Sequence, residues 1–271
     1  MNATSATQNP PPPLDLSVVI PVFNEERDIE HTIQKVGAYI VAKGLRGEII
    51  IVDDGSTDAT SIILQRLTTS IPYLHPIFLK KNHGKGYAVK TGILSAHGNI
   101  ILFMDADGST DTQEFDTFLP FFKTGADVVI GSRYLPHSNI IIQQPRYRVL
   151  LGRISNRVIQ SILLSGIVDT QCGFKAFTHK AAQDIFSRQT IARWAFDMEI
   201  LAIARHKGYT IQETPIQWSN STKRASRLRP IKDTLRTLRD LIKIKTRFLL
   251  KRYDTHETPP TETAPLRSDR E

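Results

Sequence analysis

At 271 residues, 40% of them hydrophobic, the chain has room for one large domain or two small ones and the composition of an ordinary folded protein. A net charge of +8 points to an anionic partner (nucleotide phosphates, nucleic acid or an anionic lipid surface), and the single Cys172 excludes an internal disulfide framework and fits a reducing compartment. No apolar run reaches the roughly 18 residues a membrane span needs, and residues 1–13 lack a secretory layout, so the expectation is a cytosolic protein that does not cross a membrane.

Residues 1–13 are small, polar and proline-rich and predict a disordered arm. Residues 16–21 read as a short buried strand, and Asn24-Glu25-Glu26 opens a helix running to about 43, with acids where the helix dipole favours them. Residues 48–52 form a second strand that ends in Asp53-Asp54-Gly55-Ser56, followed by a helix over 57–68. A third strand, 75–79, leads into the Gly- and Lys-rich loop 80–86, and a helix follows over 87–96. Residues 99–104 are a fourth strand that stops at Asp105-Ala106-Asp107-Gly108-Ser109. A helix over 112–123 and a strand over 127–130 ending in Gly131-Ser132-Arg133 complete the regular part. Strands alternating with helices of this length predict an α/β fold, a mostly parallel sheet with helices on both faces.

The second half is less regular. Residues 144–165 predict an amphipathic helix carrying Arg146, Arg148, Arg153 and Arg157; 169–177 form a compact segment; 193–207 a helix or turn-helix; and 209–218 one or two edge strands. Residues 228–250 form a basic amphipathic helix, with Leu228, Ile231, Leu235, Leu238, Ile242 and Leu249 near helical spacing and lysines or arginines over much of the rest. That is the pattern of a helix lying on an anionic lipid surface; a helix packed on the domain, or at a dimer contact, has the same pattern. The residues that follow predict a disordered tail over 253–271.

In an open parallel sheet, ligands bind beyond the carboxyl ends of the strands. The polar clusters of this chain all fall there. Asp-x-Asp directly after an apolar strand suits a divalent cation carrying a nucleoside diphosphate, because carboxylates are hard oxygen ligands and phosphate oxygens and water complete the shell. A plain Asp/Gly turn is the alternative. The first strand ends in side chains rather than the Gly-x-Gly-x-x-Gly of a dinucleotide site. Asn24 and Glu25 can therefore hydrogen-bond a base or ribose, or Asn24 can cap the helix. Asp53 and Asp54 can accept from a uracil or guanine ring N–H, or Asp54 can begin a turn. The loop before residue 87 is not a Walker loop, but it can place Lys85 and backbone N–H groups near phosphates; a solvated loop is the competing reading.

The stretches Ser17-Val18-Val19-Ile20-Pro21, Asn24-Glu25-Glu26, Val52-Asp53-Asp54-Gly55-Ser56, Lys81-Asn82-His83-Gly84-Lys85-Gly86 and Asp105-Ala106-Asp107-Gly108 together resemble family 2 inverting glycosyltransferases. Gly131-Ser132-Arg133, Asp169-Thr170-Gln171-Cys172-Gly173-Phe174-Lys175 and Arg193-Trp194-Ala195-Phe196-Asp197 bring the likeness close to the dolichyl-phosphate β-glucosyltransferases, over roughly residues 15–250. The resemblance implies a GT-A fold and transfer of a hexose, with UDP-glucose the expected donor, to a polyprenyl phosphate. Pro21, Asn24, Glu25 and Asp53 would hold the uridine, with Asp54, Lys85 and Ala106 also on the nucleotide-sugar side. Asp105 and Asp107 would bind Mg²⁺ or Mn²⁺, and Ser109 stands where the mannose-transferring cousins add a glutamine ligand. Eukaryotic members carry an N-terminal membrane anchor, so a bacterial acceptor such as undecaprenyl phosphate is expected alongside dolichyl phosphate.

The chemistry is displacement at the anomeric carbon. A sugar hydroxyl acceptor needs a general base, and Asp197 is the candidate. A phosphate monoester is already anionic near pH 7 and needs cationic positioning instead. Arg133 is the first candidate for that, then Arg146 and Lys175, since a guanidinium fork matches phosphate oxygens. Trp194 and Phe196 stack on the sugar or fill the core. Two other functions compete: transfer to a saccharide hydroxyl of an envelope polysaccharide, and a basic nucleic-acid-binding module. The carboxylate clusters at the strand ends would repel a nucleic-acid backbone, so nucleic acid is not the expected partner.

Overall fold

The computed structural model describes residues 13–142, 159–219 and 230–254. Its centre is β1, Leu16–Val22, whose run of Val and Ile is buried on both faces. Strand β2 (Gly47–Asp53) pairs with it in parallel on one side and β4 (Ile100–Met104) on the other. With β3 (Leu74–Phe78), β5 (Val128–Ser132), β7 (Phe174–Thr178) and β8 (Ile211–Pro215) the sheet has seven strands in the order β3-β2-β1-β4-β7-β5-β8. Only β7 runs antiparallel to its neighbours, between β4 and β5. Because β2 and β4 leave β1 in opposite directions, the strand order switches beside β1, and the ends of β1, β2 and β4 open onto one crevice.

Side chains alternate across the sheet into two apolar layers. Val19, Ile50, Val52, Ile101 and Phe103 face one of them, with helices α3 (Lys85–Leu94), α5 (His179–Arg188) and α6 (Phe196–His206). Leu16, Val18, Ile20, Ile49, Ile51, Leu102 and Met104 face the other, with α1 (Ile29–Ala42) and α2 (Thr60–Thr68).

Several elements differ from expectation. Helix α1 starts at Ile29 rather than at Asn24, because Asn24 takes φ 57° and the next residues form a turn in which Asp28 and Ile29 both donate N–H to the Glu25 carbonyl. The helix expected over 112–123 divides into a 3₁₀ turn, Thr112–Thr117, and the short α4, Leu119–Lys123; Pro120 has no N–H to carry one helix through. The compact segment contains β7, and helix α5 follows it, capped by the Thr178 hydroxyl, which accepts from the Ala181 N–H at 3.3 Å.

Residues 209–218 divide into the edge strand β8 and β9 (Gln217–Ser219), which pairs in parallel with β6 (Asn139–Ile142) in a separate two-stranded sheet. The expected helix 144–165 lies mostly outside the described residues, and so does Arg146.

Helix α7, Pro230–Leu249, packs on the domain. Leu241 and Ile244 are buried, while Ile242 and Leu249, expected on its apolar stripe, are exposed. The expected tail begins too early. Tyr253 is buried, its hydroxyl donates to Glu199 at 2.7 Å, and its carbonyl accepts from Arg188 at 2.9 Å.

Candidate active site

Asn24 ties the end of β1 to the turn after β2, and Asp53 braces that turn. The Asn24 Oδ1 accepts from the Thr57 N–H at 2.7 Å, and its own N–H donates to the Ser56 hydroxyl at 2.9 Å. The Asp53 carboxylate accepts from the Ser56 N–H at 2.9 Å and from the Ser61 hydroxyl. The Glu25 N–H donates to the Thr60 hydroxyl at 2.8 Å, and Pro21 lies in β1 opposite Val52. These residues share one rim, as the sequence implied, and part of their bonding capacity shapes the rim itself.

Asp54 sits elsewhere than a base-reading residue would. It is buried, and its two oxygens accept from the N–H groups of His83 and Gly84, each at 2.8 Å. Its charge is directed into the loop 80–86 and holds that loop in place. Glycine is required along this contact: Gly84 has φ 107°, and a Cβ there would lie 2.6 Å from the Ala192 carbonyl. A Cβ on Gly86 would lie 2.6 Å from the Ile191 carbonyl. The loop is thus clamped between Asp54 and the segment that carries Trp194, and Lys85 follows as the first residue of α3.

Lys85 reaches into the Asp-x-Asp turn. Its ammonium lies 2.6 Å from Asp105 Oδ1, between the rings of Phe103 and Trp194, whose centroids are 5.4 and 5.1 Å away. Burial disfavours its charge, but Asp105, Asp197 and Asp107 outweigh that and raise its pKa above the ordinary lysine value. The turn is built on several anchors. The Asp105 N–H donates to the Gly173 carbonyl at 3.1 Å, the Ala106 carbonyl accepts from Thr32 at 2.9 Å, and the Ser109 N–H donates to Asp107 at 3.0 Å. Ser219 of β9 donates its N–H to the Ser109 carbonyl at 2.8 Å, so the small sheet abuts the turn. Burial, then the charge of Asp105, push the Asp107 carboxyl above its ordinary range, while the Ser109 N–H and Lys85 oppose the shift.

The carboxylates of Asp105, Asp107 and Asp197 outnumber the ammonium groups of Lys85 and Lys175, and the excess suits a cation. Among the described residues no group of three or more His, Cys, Asp or Glu gathers to hold a metal. Asp105 and Asp107 could offer two hard oxygen ligands to a divalent cation, with phosphate oxygens and water to complete its shell. Ser109 is nearly buried beside them.

Two residues expected at the acceptor phosphate are otherwise engaged. Lys175 is fully buried; its ammonium donates to Asp197 at 2.6 Å and to the Cys172 carbonyl, so it does not face the crevice. Arg133 gives its fork to Asp169, with Nε to Oδ2 at 2.7 Å and Nη2 to Oδ1 at 2.9 Å, and lies over Tyr134 and Trp218. Asp169 is itself fixed, since the N–H groups of Val168 and Asp169 donate to Glu213 at 2.8 and 2.7 Å. Arg133 is thus a buttress for the segment leading to Gly173. Asp197, the candidate base, is buried against Lys175, and burial raises its pKa despite the Lys175 and Lys85 charges. Phe196 fills the core against Phe103, whereas Trp194 is 56% exposed. Cys172 is a buried free thiol, its pKa pushed up to about 12 by burial.

Sequence reasoning passed over two residues. Gly173 is the seat of Asp105: a Cβ there would lie 2.0 Å from Asp105 Oδ2. Its place two residues before Lys175 in a conspicuous segment was the available signal. Glu199, on α6, accepts from the N–H groups of Thr190 and Ile191 and from the Thr190 and Tyr253 hydroxyls, which fixes the segment before Trp194.

The model of the family described as Glycosyl transferase family 2 matches residues 17–186. The chain belongs to that family. This glycosyltransferase is 34% identical over 255 residues to the dolichyl-phosphate beta-glucosyltransferase of Dictyostelium discoideum, covering 90% of this chain and 77% of that one. The Homo sapiens protein of the same name is 34% identical over 260 residues, covering 91% and 80%. Among solved structures, glucosyl-3-phosphoglycerate synthase from Mycobacterium tuberculosis, in complex with Mn²⁺, UDP and phosphoglyceric acid, matches with a TM-score of 0.62 at 20% identity over 92% of this chain and 80% of that one. Mannosyl-3-phosphoglycerate synthase from Rubrobacter xylanophilus matches with 0.66 at 16% identity over 88% and 76%. The fold is GT-A, as the sequence implied.

Proposed function

We propose that this glycosyltransferase transfers glucose from UDP-glucose, with inversion, to a polyprenyl phosphate (dolichyl or undecaprenyl), using Mg²⁺ or Mn²⁺ held by Asp105 and Asp107. The observation that carries the reading is the Asp105/Asp107 pair at the switch point, with Lys85 against it. The substrates named for the relatives, and the Mn²⁺ and UDP bound by a protein of the same fold, support it. A divalent cation at the pair would neutralise the charge that grows on the departing diphosphate. Asn24, Glu25 and Asp53 orient the nucleoside on the rim, and Lys85 directs a positive charge at its phosphates.

The acceptor follows from what Asp197 does. Held 2.6 Å from the Lys175 ammonium and buried, it is a poor base for a sugar hydroxyl. A phosphate monoester needs no base. With Arg133 and Lys175 engaged elsewhere and Lys85 directed at the diphosphate, its positioning falls to the exposed Arg193 and, outside the described residues, Arg146.

A lipid acceptor calls for a membrane surface, and α7 offers a face for one. Ile242, Leu249 and Leu250 are exposed among exposed Arg239, Lys243, Lys245 and Lys251. No helix among the described residues is long and apolar enough to cross a membrane. The reading places the enzyme peripherally on the cytoplasmic face. It should sediment with anionic vesicles at low salt and lose this on charge reversal of Arg239, Lys243 and Lys245; sedimentation unchanged by the reversal contradicts the docking.

The decisive experiment incubates the protein and Mg²⁺ with a panel of sugar nucleotides, offering polyprenyl phosphate or an oligosaccharide as acceptor, and identifies products by mass spectrometry. Glucosyl-phosphoryl lipid from UDP-glucose is the expected product. Asp107→Ala should lower its formation at least about a hundredfold, the equivalent of about 2.7 kcal/mol. Product on the oligosaccharide alone contradicts the reading.

A further inference from the structure

Asp105 already carries a cation. Its Oδ1 carries the Lys85 ammonium at 2.6 Å. Its Oδ2 side lies against Gly173, so closely that a Cβ there would be 2.0 Å away. The lysine's place is fixed from behind. Asp54 holds the two residues before it through the His83 and Gly84 N–H groups, and Gly84 and Gly86 abut the carbonyls of Ala192 and Ile191. Phe103 and Trp194 flank the ammonium.

A tethered ammonium on a metal ligand competes with the metal. A divalent ion arriving alone must displace Lys85 from Asp105 and then stand beside its positive charge, a repulsion that partial burial strengthens. A cation arriving with a nucleoside diphosphate meets no such obstacle, because the diphosphate supplies new oxygens for the ammonium. Lys85 is also the first residue of the ten-residue α3, where anions are favoured.

We propose that Lys85 is a placeholder cation: it occupies Asp105 in the empty enzyme, excludes free divalent metal, and passes to the diphosphate when metal and nucleotide arrive together. The inference rests on the metal site and nucleotide donor proposed above. Its consequence is positive coupling between metal and diphosphate, equal in both directions. Free metal does not fill the site without a donor, and the donor does not settle fully without metal. A lysine that merely supports Asp105 behaves differently: its removal weakens both ligands.

The test uses the full chain as wild type, Lys85→Met and Lys85→Arg, with thermal unfolding to establish that each is folded. Mn²⁺ binding without nucleotide is read from the electron paramagnetic resonance of free Mn²⁺, and UDP binding in saturating Mn²⁺ by calorimetry. Lys85→Met should bind Mn²⁺ alone at least about tenfold more tightly than wild type, and UDP in saturating Mn²⁺ at least about tenfold more weakly. Lys85→Arg should keep both near wild type. Opposite signs in the methionine variant are what a supporting role cannot produce.

Mn²⁺ affinity in Lys85→Met equal to or weaker than wild type overturns the placeholder. If that variant does not fold, Lys85→Gln takes its place with the same expected signs, and wild type must show the coupling as well. Saturating UDP should raise Mn²⁺ affinity at least about tenfold, after correction for Mn²⁺–UDP in solution, and no rise overturns the proposal. Asp107→Ala separates the two levels. Retained Mn²⁺ binding by that variant with UDP present removes the metal site and the placeholder together. Loss of Mn²⁺ there, with unchanged affinity in Lys85→Met, keeps the site and removes the placeholder alone.

Discussion

The two halves of the central sheet secure their buried carboxylates in different ways. From β1 to β4, the acids at strand ends bond mostly to neutral donors: Asp53 to Ser56 and Ser61, Asp54 to His83 and Gly84, Asp107 to Ser109, with Asp105, which meets Lys85, the exception. Beyond β4 the aspartates face cations, Asp169 holding Arg133, Asp197 Lys175 and Asp184 Arg188, while Glu199 and Glu213 bond to neutral donors. An N–H or O–H donor fixes a carboxylate and leaves its charge in place, whereas an ion pair cancels it. The first half therefore presents a negative rim that a cation and its diphosphate can complete. The second half forms a wall whose aspartates are charge-paired; it seats Asp105 through Gly173 and supports the segment before Trp194.

The largest way to break this contrast is to remove one side of a wall pair. Lys175→Met leaves Asp197 buried without its cation and should cost about 3–5 kcal/mol in urea unfolding. The double variant Lys175→Met/Asp197→Leu should regain most of that loss. A cost under about 1 kcal/mol for the single variant would mean that the pair does not support the wall.

On the rim side, Asp54→Ala removes two charge-assisted bonds to the His83 and Gly84 N–H groups. It should cost about 2–3 kcal/mol and increase amide hydrogen exchange selectively in the loop 80–86. Exchange that rises equally across the sheet would contradict the local latch.

The smallest effect appears in acid. Burial raises the pKa of Asp169, but the charge and bonds of Arg133 more than offset this and hold the carboxyl below its ordinary value of 3.8. Its stabilisation is thus fully present above that value and fades as pH falls through the depressed one. The stability difference between wild type and Asp169→Asn should stay flat from about pH 7 to 5 and narrow below about pH 4. A difference that instead grows in acid would reverse the assigned direction.

The same contrast governs what could be read from the chain. Strands β1 to β4 are legible because each is an apolar run stopped by polar residues, and their ends mark the crevice without further information. Strand β7 is short, buried on both faces and set antiparallel, and nothing in Phe-Lys-Ala-Phe-Thr separates it from a compact loop. Local geometry moved the start of α1, since only coordinates reveal the positive φ of Asn24.

Ion pairs were the least legible feature. Arg133 and Asp169 are 36 residues apart, and Lys175 and Asp197 are 22 apart. Spacing gives no hint that these cations are already engaged, and so it points both at the acceptor. Glycine showed the same limit: Gly173 is visible in its segment, but its purpose emerges only when Asp105 is seen lying against it.

The central claim is that Asp105 and Asp107 grip a divalent cation that steadies a leaving nucleoside diphosphate. The most direct test is the anomalous signal of Mn²⁺ in crystals grown with Mn²⁺ and UDP. The account predicts one strong peak at bonding distance from oxygens of both carboxylates and of the diphosphate, with the Lys85 ammonium moved from Asp105 to the phosphates. A peak away from the pair, or bound UDP with no metal between it and these two residues, would contradict it.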